Sequence, residues 1–216
     1  MPQRGPFIVV EGLDRSGKST QTALLLARLE AAGIPAKLLK FPDRTTSIGQ
    51  MINGYLQSTT DLDDHAIHLL FSANRWELAS TVEQLLNAGV AVICDRYAFS
   101  GIAFSAAKGL SYEWCRSPEI NLPAPDLTVF LDITPEKAKE RGGYGEERYE
   151  KEALQKEVRR VFGRIAKEIL QDGGKWVTLD AGKERVVVSE DVWGLVEPLT
   201  AGIDYPVQRL WSDKIL

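Results

Sequence analysis

Near the start of the chain, Gly12-Leu13-Asp14-Arg15-Ser16-Gly17-Lys18-Ser19 fits the pattern G-x-x-x-x-G-K-[ST] without a gap. Each residue type has a task there. Glycines let backbone N–H groups turn inward around phosphate oxygens, and the N-terminus of a following helix adds partial positive charge. Lys18 offers a point charge to the outer phosphates, and the Ser19 hydroxyl suits Mg²⁺. Such a loop specifies a nucleoside triphosphate and leaves open what receives its phosphoryl group. Arg15, inside the loop, is placed to bridge donor and acceptor phosphates as an arginine finger supplied in cis. Asp95 closes an apolar run, where an acid holds Mg²⁺ directly or through water. Arg96 comes directly after Asp95 and Arg44 stands at the end of another apolar run, and their planar forks of donors suit one more phosphate. Phe71 and Arg75 stand i, i+4, on one helix face. That pair offers a ring to stack on a base and a guanidinium for a base carbonyl, although by spacing alone a core Phe and a surface Arg is the commoner arrangement. His65 and His68, i, i+3 with no third ligand evident, are expected as a helix-surface or partly buried pair rather than a metal site.

The elements that must position these groups follow from periodicity and punctuation. Phe7-Ile8-Val9-Val10 is a β-branched run that ends at Glu11-Gly12, directly before the loop. A helix is expected over 19–32, a strand over 36–41, a glycine-weakened helix over 45–57, and a long helix to residue 87 capped by Asp63. Residues 90–94 are apolar throughout, as a strand buried on both faces should be. Helices over 99–108 and 111–117, a strand over 127–133, and a helix opened by Thr134 and Pro135 come next. A charged amphipathic helix over 150–170, a strand over 176–179 and a helix over 188–199 complete the pattern. Five strands alternating with helices predict an α/β fold, a five-stranded parallel sheet covered by helices on both faces. Ligands in such sheets bind at the carboxyl ends of the strands, which is where the loop, Arg44 and Arg96 would lie. Residues 201–216 are expected to pack on the domain through Tyr205-Pro206 and Leu210-Trp211.

Composition sets the outer limits. The 216 residues are 44% hydrophobic and 26% charged, an ordinary globular balance. Twenty-six basic against thirty acidic residues give a net charge of −4, which argues against a nucleic-acid polymer as partner while allowing a local basic cleft. The apolar runs are far too short to span a membrane. No charged region followed by an apolar stretch opens the chain, so an intracellular compartment, cytoplasmic or nuclear, is the expectation. Cys94 and Cys115 lack any zinc-ligand spacing, and Cys94 is expected buried and inert in a reducing compartment.

Taken as strings, these residues resemble the thymidylate kinase family, of the eukaryotic kind. The matching pieces are the loop through Thr20 with Arg15 inside it, Phe41-Pro42-Asp43-Arg44, Phe71-Ser72-Ala73-Asn74-Arg75-Trp76-Glu77, Asp95-Arg96-Tyr97-Ala98-Phe99-Ser100-Gly101, and Arg141-Gly142-Gly143-Tyr144-Gly145-Glu146-Glu147-Arg148-Tyr149-Glu150. The resemblance covers about residues 7 to 200. The loop is shared by many families, whereas the Phe-Ser-Ala-Asn-Arg-Trp and Asp-Arg-Tyr-Ala-Phe-Ser-Gly strings are far more specific.

The resemblance implies one P-loop kinase domain, adenylate-kinase-like, with a short lid over 141–150. It implies Mg²⁺-dependent transfer of the γ-phosphoryl of ATP to dTMP, giving dTDP for dTTP synthesis, by a homodimer. It also implies roles. Arg15, Lys18, Asp95 and Arg96 would be catalytic. Gly12, Arg15, Ser16, Gly17, Lys18, Ser19, Thr20, Arg141 and Lys183 would hold ATP, with Ser19 and Asp95 toward Mg²⁺. Asp14 would hold the sugar 3′-hydroxyl, and Phe41 would border the acceptor. Arg44 and Arg96 would grip the dTMP phosphate. Phe71 would stack on thymine, with Arg75 on a ring carbonyl and Ser100 and Gly101 lining the pocket. Phe104 and Tyr149 would crowd the sugar 2′ position. Between Arg141 and Arg148 there is no basic residue, and the arginine stands in the loop instead, as in the eukaryotic arrangement. Two alternatives are a deoxynucleoside kinase of the same fold, with Asp14 or Glu11 as base, and a non-catalytic nucleotide-binding protein.

Overall fold

A computed structural model describes residues 3–141, 149 and 152–212. Five parallel strands, β1 (Phe7–Gly12), β2 (Ala36–Lys40), β3 (Ala91–Asp95), β4 (Leu127–Asp132) and β5 (Trp176–Asp180), form one sheet in the order β2-β3-β1-β4-β5. β1 lies in the middle, with Phe7 beside Val92 of β3 and Ile8 beside Leu127 of β4. Every residue of β1 and β3 is buried. Both faces of the sheet are therefore covered there, which is why these two strands read as unbroken apolar runs. β2 and β5, at the two edges, are only partly buried.

The helices are α1 (Lys18–Ala31), α2 (Ser47–Leu56), α3 (Asp64–Asn87), α4 (Ala98–Ala107), α5 (Tyr112–Arg116), α6 (Pro135–Glu140), α7 (Glu152–Gln171) and α8 (Arg185–Val196). α1 packs with α8, and α4 packs with α7 and α3. Local chemistry sets several ends. Thr46 caps α2 by accepting from the Gly49 N–H at 3.0 Å, and Asp63 caps α3 at His65. α8 begins three residues earlier than the expected helix over 188–199 and stops at Val196, where Pro198 leaves only a 3₁₀ turn, Glu197–Leu199. None of the described helices is long and apolar enough to cross a membrane.

The amino ends of the strands are closed by a polar clamp. Arg4 forms a bidentate pair with Asp126, both buried, at 2.7 Å for each bond. The same carboxylate accepts from the Phe7 N–H at 2.8 Å and the Tyr205 hydroxyl at 3.0 Å. Arg4 and Ile203 exchange backbone hydrogen bonds, and Trp211 enters the core against Phe99. Leu210 and Trp211 thus pack as expected, whereas Tyr205 and Pro206 are exposed and Tyr205 meets the domain through its hydroxyl.

Most of the expected lid, residues 142–148 and 150 with Arg148 among them, lies outside the described residues, as do 213–216. The two histidines of the expected helix-surface or partly buried pair differ in burial. His65 is exposed, while His68 is fully buried, because α5 and the turn after it cover that side of α3. Cys94 is buried, and burial pushes its thiol well up.

Candidate active site

The phosphate loop begins where β1 runs out of the sheet. Gly12 has φ 154°, and a Cβ there would come within 2.5 Å of the Leu131 carbonyl of β4. Only glycine fits so close to the neighbouring strand. Gly17, at φ 90°, is the N-cap of α1, and Arg15 takes φ 62°, a left-handed conformation uncommon for a residue with a side chain. The loop therefore turns tightly and delivers Lys18 and Ser19 to the first turn of α1. Lys18 is buried and donates to the Leu13 carbonyl at 2.6 Å. Burial, and after it the charge of Arg96, pull its ammonium down to about 7. The Ser19 hydroxyl stands 2.5 Å from an Asp95 carboxylate oxygen at the end of β3. Loop and strand end thus present two hard oxygen donors together.

Arg96, next after β3, also has a positive φ, 68°. The turn aims its guanidinium back at the loop, where it pairs with Asp14 and donates to Ser100 Oγ at 3.1 Å. Asp14 is fixed a second time by Gln155 of α7, whose amide donates to it at 2.7 Å and accepts from its N–H at 3.2 Å. Glu11 acts from beneath. Fully buried, it accepts from the Tyr97 and Ser100 N–H groups at 2.9 and 3.0 Å and from Ser100 Oγ at 2.5 Å. α4 has no side-chain cap of its own, so this remote carboxylate takes up its first free N–H groups. Burial pushes the Glu11 carboxyl up, against the Ser100 hydrogen bond and the Arg96 charge.

Beside the loop, one cavity gathers every residue assigned by resemblance to the acceptor nucleotide. Asp14, Phe41, Arg44, Phe71, Arg75, Arg96, Ser100, Gly101, Phe104 and Tyr149 all line it, together with Pro42, Leu56, Tyr97 and Ser105. Arg44 donates to Asn53 of α2 at 2.9 Å, and Arg96 lies over the Phe104 ring at 5.5 Å. Phe104 and Tyr149 stand ring against ring, 5.4 Å apart. The commoner reading of the helix spacing is corrected here. Arg75 is no surface residue but is buried, and Phe71 is only half-buried at the cavity wall. The reason is Glu119, in the 3₁₀ turn Ser117–Glu119, which takes the Arg75 guanidinium in a bidentate pair. That guanidinium also rests on Gly101, where a Cβ would approach its carbon within 3.1 Å.

The remaining expected ATP contacts stand outside this cavity. Arg141 donates to the Arg15 carbonyl at 2.9 Å and to the Ala181 carbonyl, tying the phosphate loop to the turn after β5. Lys183 in that turn is exposed and pairs with Asp191 of α8 at 2.9 Å. Thr20 is exposed on α1. Among the described residues no cluster of three metal-ligating side chains occurs. Gln155, Glu119 and Ser105 also belong to the site, though no motif in the sequence marks them. Gln155 had a signal, because it is a polar residue in register with the buried stripe Val158, Val161, Phe162, Ile165 and Ile169 of α7.

A central strand running through a phosphate loop into a helix, with a second arginine-bearing cavity at the same edge of a parallel sheet, makes this a P-loop nucleoside monophosphate kinase fold. Comparison with known proteins narrows the class. The family model for thymidylate kinase matches residues 10–192. The thymidylate kinase of Schizosaccharomyces pombe is 53% identical over 89% of this chain and 92% of its own length, and that of Homo sapiens is 44% identical over 97% and 99%. A solved thymidylate kinase structure from Candida albicans superposes with a TM-score of 0.87 at 39% identity, covering 97% of this chain and all of the other. The chain belongs to the thymidylate kinase family.

Proposed function

We propose that this enzyme transfers the γ-phosphoryl group of ATP to dTMP, giving dTDP for dTTP synthesis, by Mg²⁺-dependent in-line displacement. The observation that carries the reading is the single cavity beside the phosphate loop, which holds Arg44 and Arg96 at one side and Phe71 and Arg75 at the other. A phosphate and a flat base find partners there at once. The acceptor is a phosphate monoester, largely dianionic because its second pKa is about 6. It needs no general base, so positioning and charge stabilisation supply the rate. Lys18 and Arg15 hold the transferring group, and a polyanion in the loop draws the Lys18 ammonium back to its charged form. Arg44 and Arg96 hold the acceptor phosphate, and Asp14 meets the sugar. Phe104 and Tyr149 leave little room for a 2′-hydroxyl.

Ser19 and Asp95 fit Mg²⁺. They are two hard oxygens at the loop, and this ion keeps most of its positions for phosphate oxygens and water. When bound it neutralises charge on the β- and γ-phosphates. The expected homodimer, the intracellular compartment and the absence of a nucleic-acid partner belong to the same reading.

The geometry disfavours the alternatives. A deoxynucleoside kinase needs a carboxylate base for a neutral hydroxyl. Asp14 is engaged by Arg96 and Gln155, and Glu11 is spent on α4. A nucleotide-binding protein without catalysis has no use for the second cavity. The deciding experiment is an ATP-dependent phosphorylation assay across dTMP, dUMP, UMP, AMP and thymidine. The expected outcome is preference for dTMP, and preference for thymidine would overturn the reading.

A further inference from the structure

His68 lies behind the cavity wall, fully buried on α3. Its Nε2 is 2.9 Å from the Cys115 carbonyl oxygen, which can only accept, so Nε2 carries a hydrogen. Burial, opposed by the charge of Glu119, helped by that of Arg75 and opposed again by the Cys115 and Gly101 backbone carbonyls, holds the imidazole below its ordinary pKa of 6.5, which favours its neutral form. A neutral ring protonated at Nε2 has a bare lone pair at Nδ1. That lone pair faces Ser105 Oγ at 2.9 Å, and the only hydrogen available for this bond is the serine's own. Ser105, a residue of the cavity lining, therefore has its hydrogen turned away from the cavity, and what it can offer there is oxygen lone pairs.

Arg75, in the same lining, is a donor only. Its Nε and Nη2 are anchored by Glu119 and its face lies on Gly101, so it cannot swing away to suit another ligand. One wall thus carries a fixed donor and an acceptor whose polarity is set from behind. Thymine and uracil present a carbonyl acceptor at C4 and an N–H donor at N3. A 4-aminopyrimidine presents the reverse, an amine donor and a bare ring nitrogen. Only the first is complementary to this wall.

We propose that His68 is a positioning residue that holds the Ser105 hydroxyl as an acceptor for the pyrimidine N3–H, and that this pair, with Arg75, makes the acceptor site select 4-oxo over 4-amino pyrimidine nucleotides. The inference rests on the proposed dTMP reading. A mismatched base leaves buried polar groups without partners, a larger penalty than the loss of a methyl contact.

The test compares dTMP with 5-methyl-dCMP, which has the same outline and the same 5-methyl group, as acceptors for the full chain. In Ser105→Ala the dTMP KM rises, and the preference for dTMP over 5-methyl-dCMP in kcat/KM falls about tenfold, as expected for one buried hydrogen bond. Ser105→Thr, which keeps the hydroxyl, restores the preference. His68→Leu frees the Ser105 hydroxyl to turn, so the KM for 5-methyl-dCMP falls while Ser105 is unchanged. Long-range ¹H–¹⁵N NMR on the unmutated protein reads the tautomer directly, whether or not the leucine variant folds. A hydrogen on Nδ1 would overturn the inference, and so would an unaltered preference in Ser105→Ala. If dTMP is phosphorylated and the preference is unmoved, this inference alone falls. If the unmutated enzyme phosphorylates neither nucleotide, the dTMP reading falls with it.

Discussion

Arg15 and Arg96 share a left-handed backbone conformation that residues with side chains rarely adopt, and each carries a charge the chemistry needs. Conformational cost of about 1–3 kcal/mol at such positions is held in place by the surrounding structure. Arg15 contacts a charge that grows as the phosphoryl group moves, so Arg15→Ala should lower kcat by about 10³-fold or more with a modest change in KM. Steady-state kinetics with ATP and dTMP decide this, and unchanged turnover would remove Arg15 from the mechanism. His68 leads to a prediction in pH. Around it stand Arg75 from its own helix, Glu119 from the 3₁₀ turn, the Gly101 carbonyl and Ser105 from α4, and the Cys115 carbonyl and Trp114 ring from α5. Its folded-state pKa lies below the unfolded value of 6.5. The unfolded chain thus binds this proton more readily, so the associated stability is present above about pH 6.5 and is lost as pH falls through the lower, folded pKa. An NMR titration of the imidazole should show a midpoint below 6.5, and a midpoint above it would refute the buried neutral ring.

At the scale of elements, α3 and α4 form one wall of the cavity, and the missing side chain at Gly101 makes room there for the Arg75 guanidinium. Gly101→Ala puts a Cβ against the buried Arg75 guanidinium, which Glu119 holds and which cannot retreat. The expected result is a KM for dTMP raised by about tenfold or more with the fold retained, since the conflict is confined to one contact. Wild-type kinetics in this variant would mean that the wall yields. What the chain itself discloses divides along the same line. The loop is evident in the sequence because its chemistry is contiguous, and β1 and β3 because a strand buried on both faces must be apolar throughout. Arg96 is evident because it follows a strand directly, and Arg44 because it stands in the short turn after another. The state of Arg75 is not, because helical spacing assigns a face without saying what covers it. The answer came from Glu119, 44 residues further on in a turn with no periodicity. Gln155 lies between these cases, a polar residue on an apolar stripe whose partner only the assembled sheet reveals.

Across the whole molecule, chemistry and anchorage occupy opposite ends of the sheet. The loop, Asp95 and Arg96 are at the carboxyl ends of the strands, and the clamp of Arg4, Asp126 and Tyr205 is at the amino ends. Arg4→Ala leaves the buried Asp126 short of its cation and should cost about 3–5 kcal/mol. Urea denaturation should show the lowered midpoint, while kcat/KM under folding conditions stays within about twofold, as for additive, distant sites. A large loss of activity in the folded variant would contradict this separation. The strand order has a further consequence, for synthesis. β1 is made first, yet its neighbours in the sheet begin at residues 91 and 127, and the partner that clamps Arg4 from the tail arrives at residue 203. Until β3 has been made, Phe7-Ile8-Val9-Val10 has no strand to pair with, so an apolar segment stays open through the synthesis of more than a third of the chain. The centre of the finished molecule is the part of the nascent chain that waits longest.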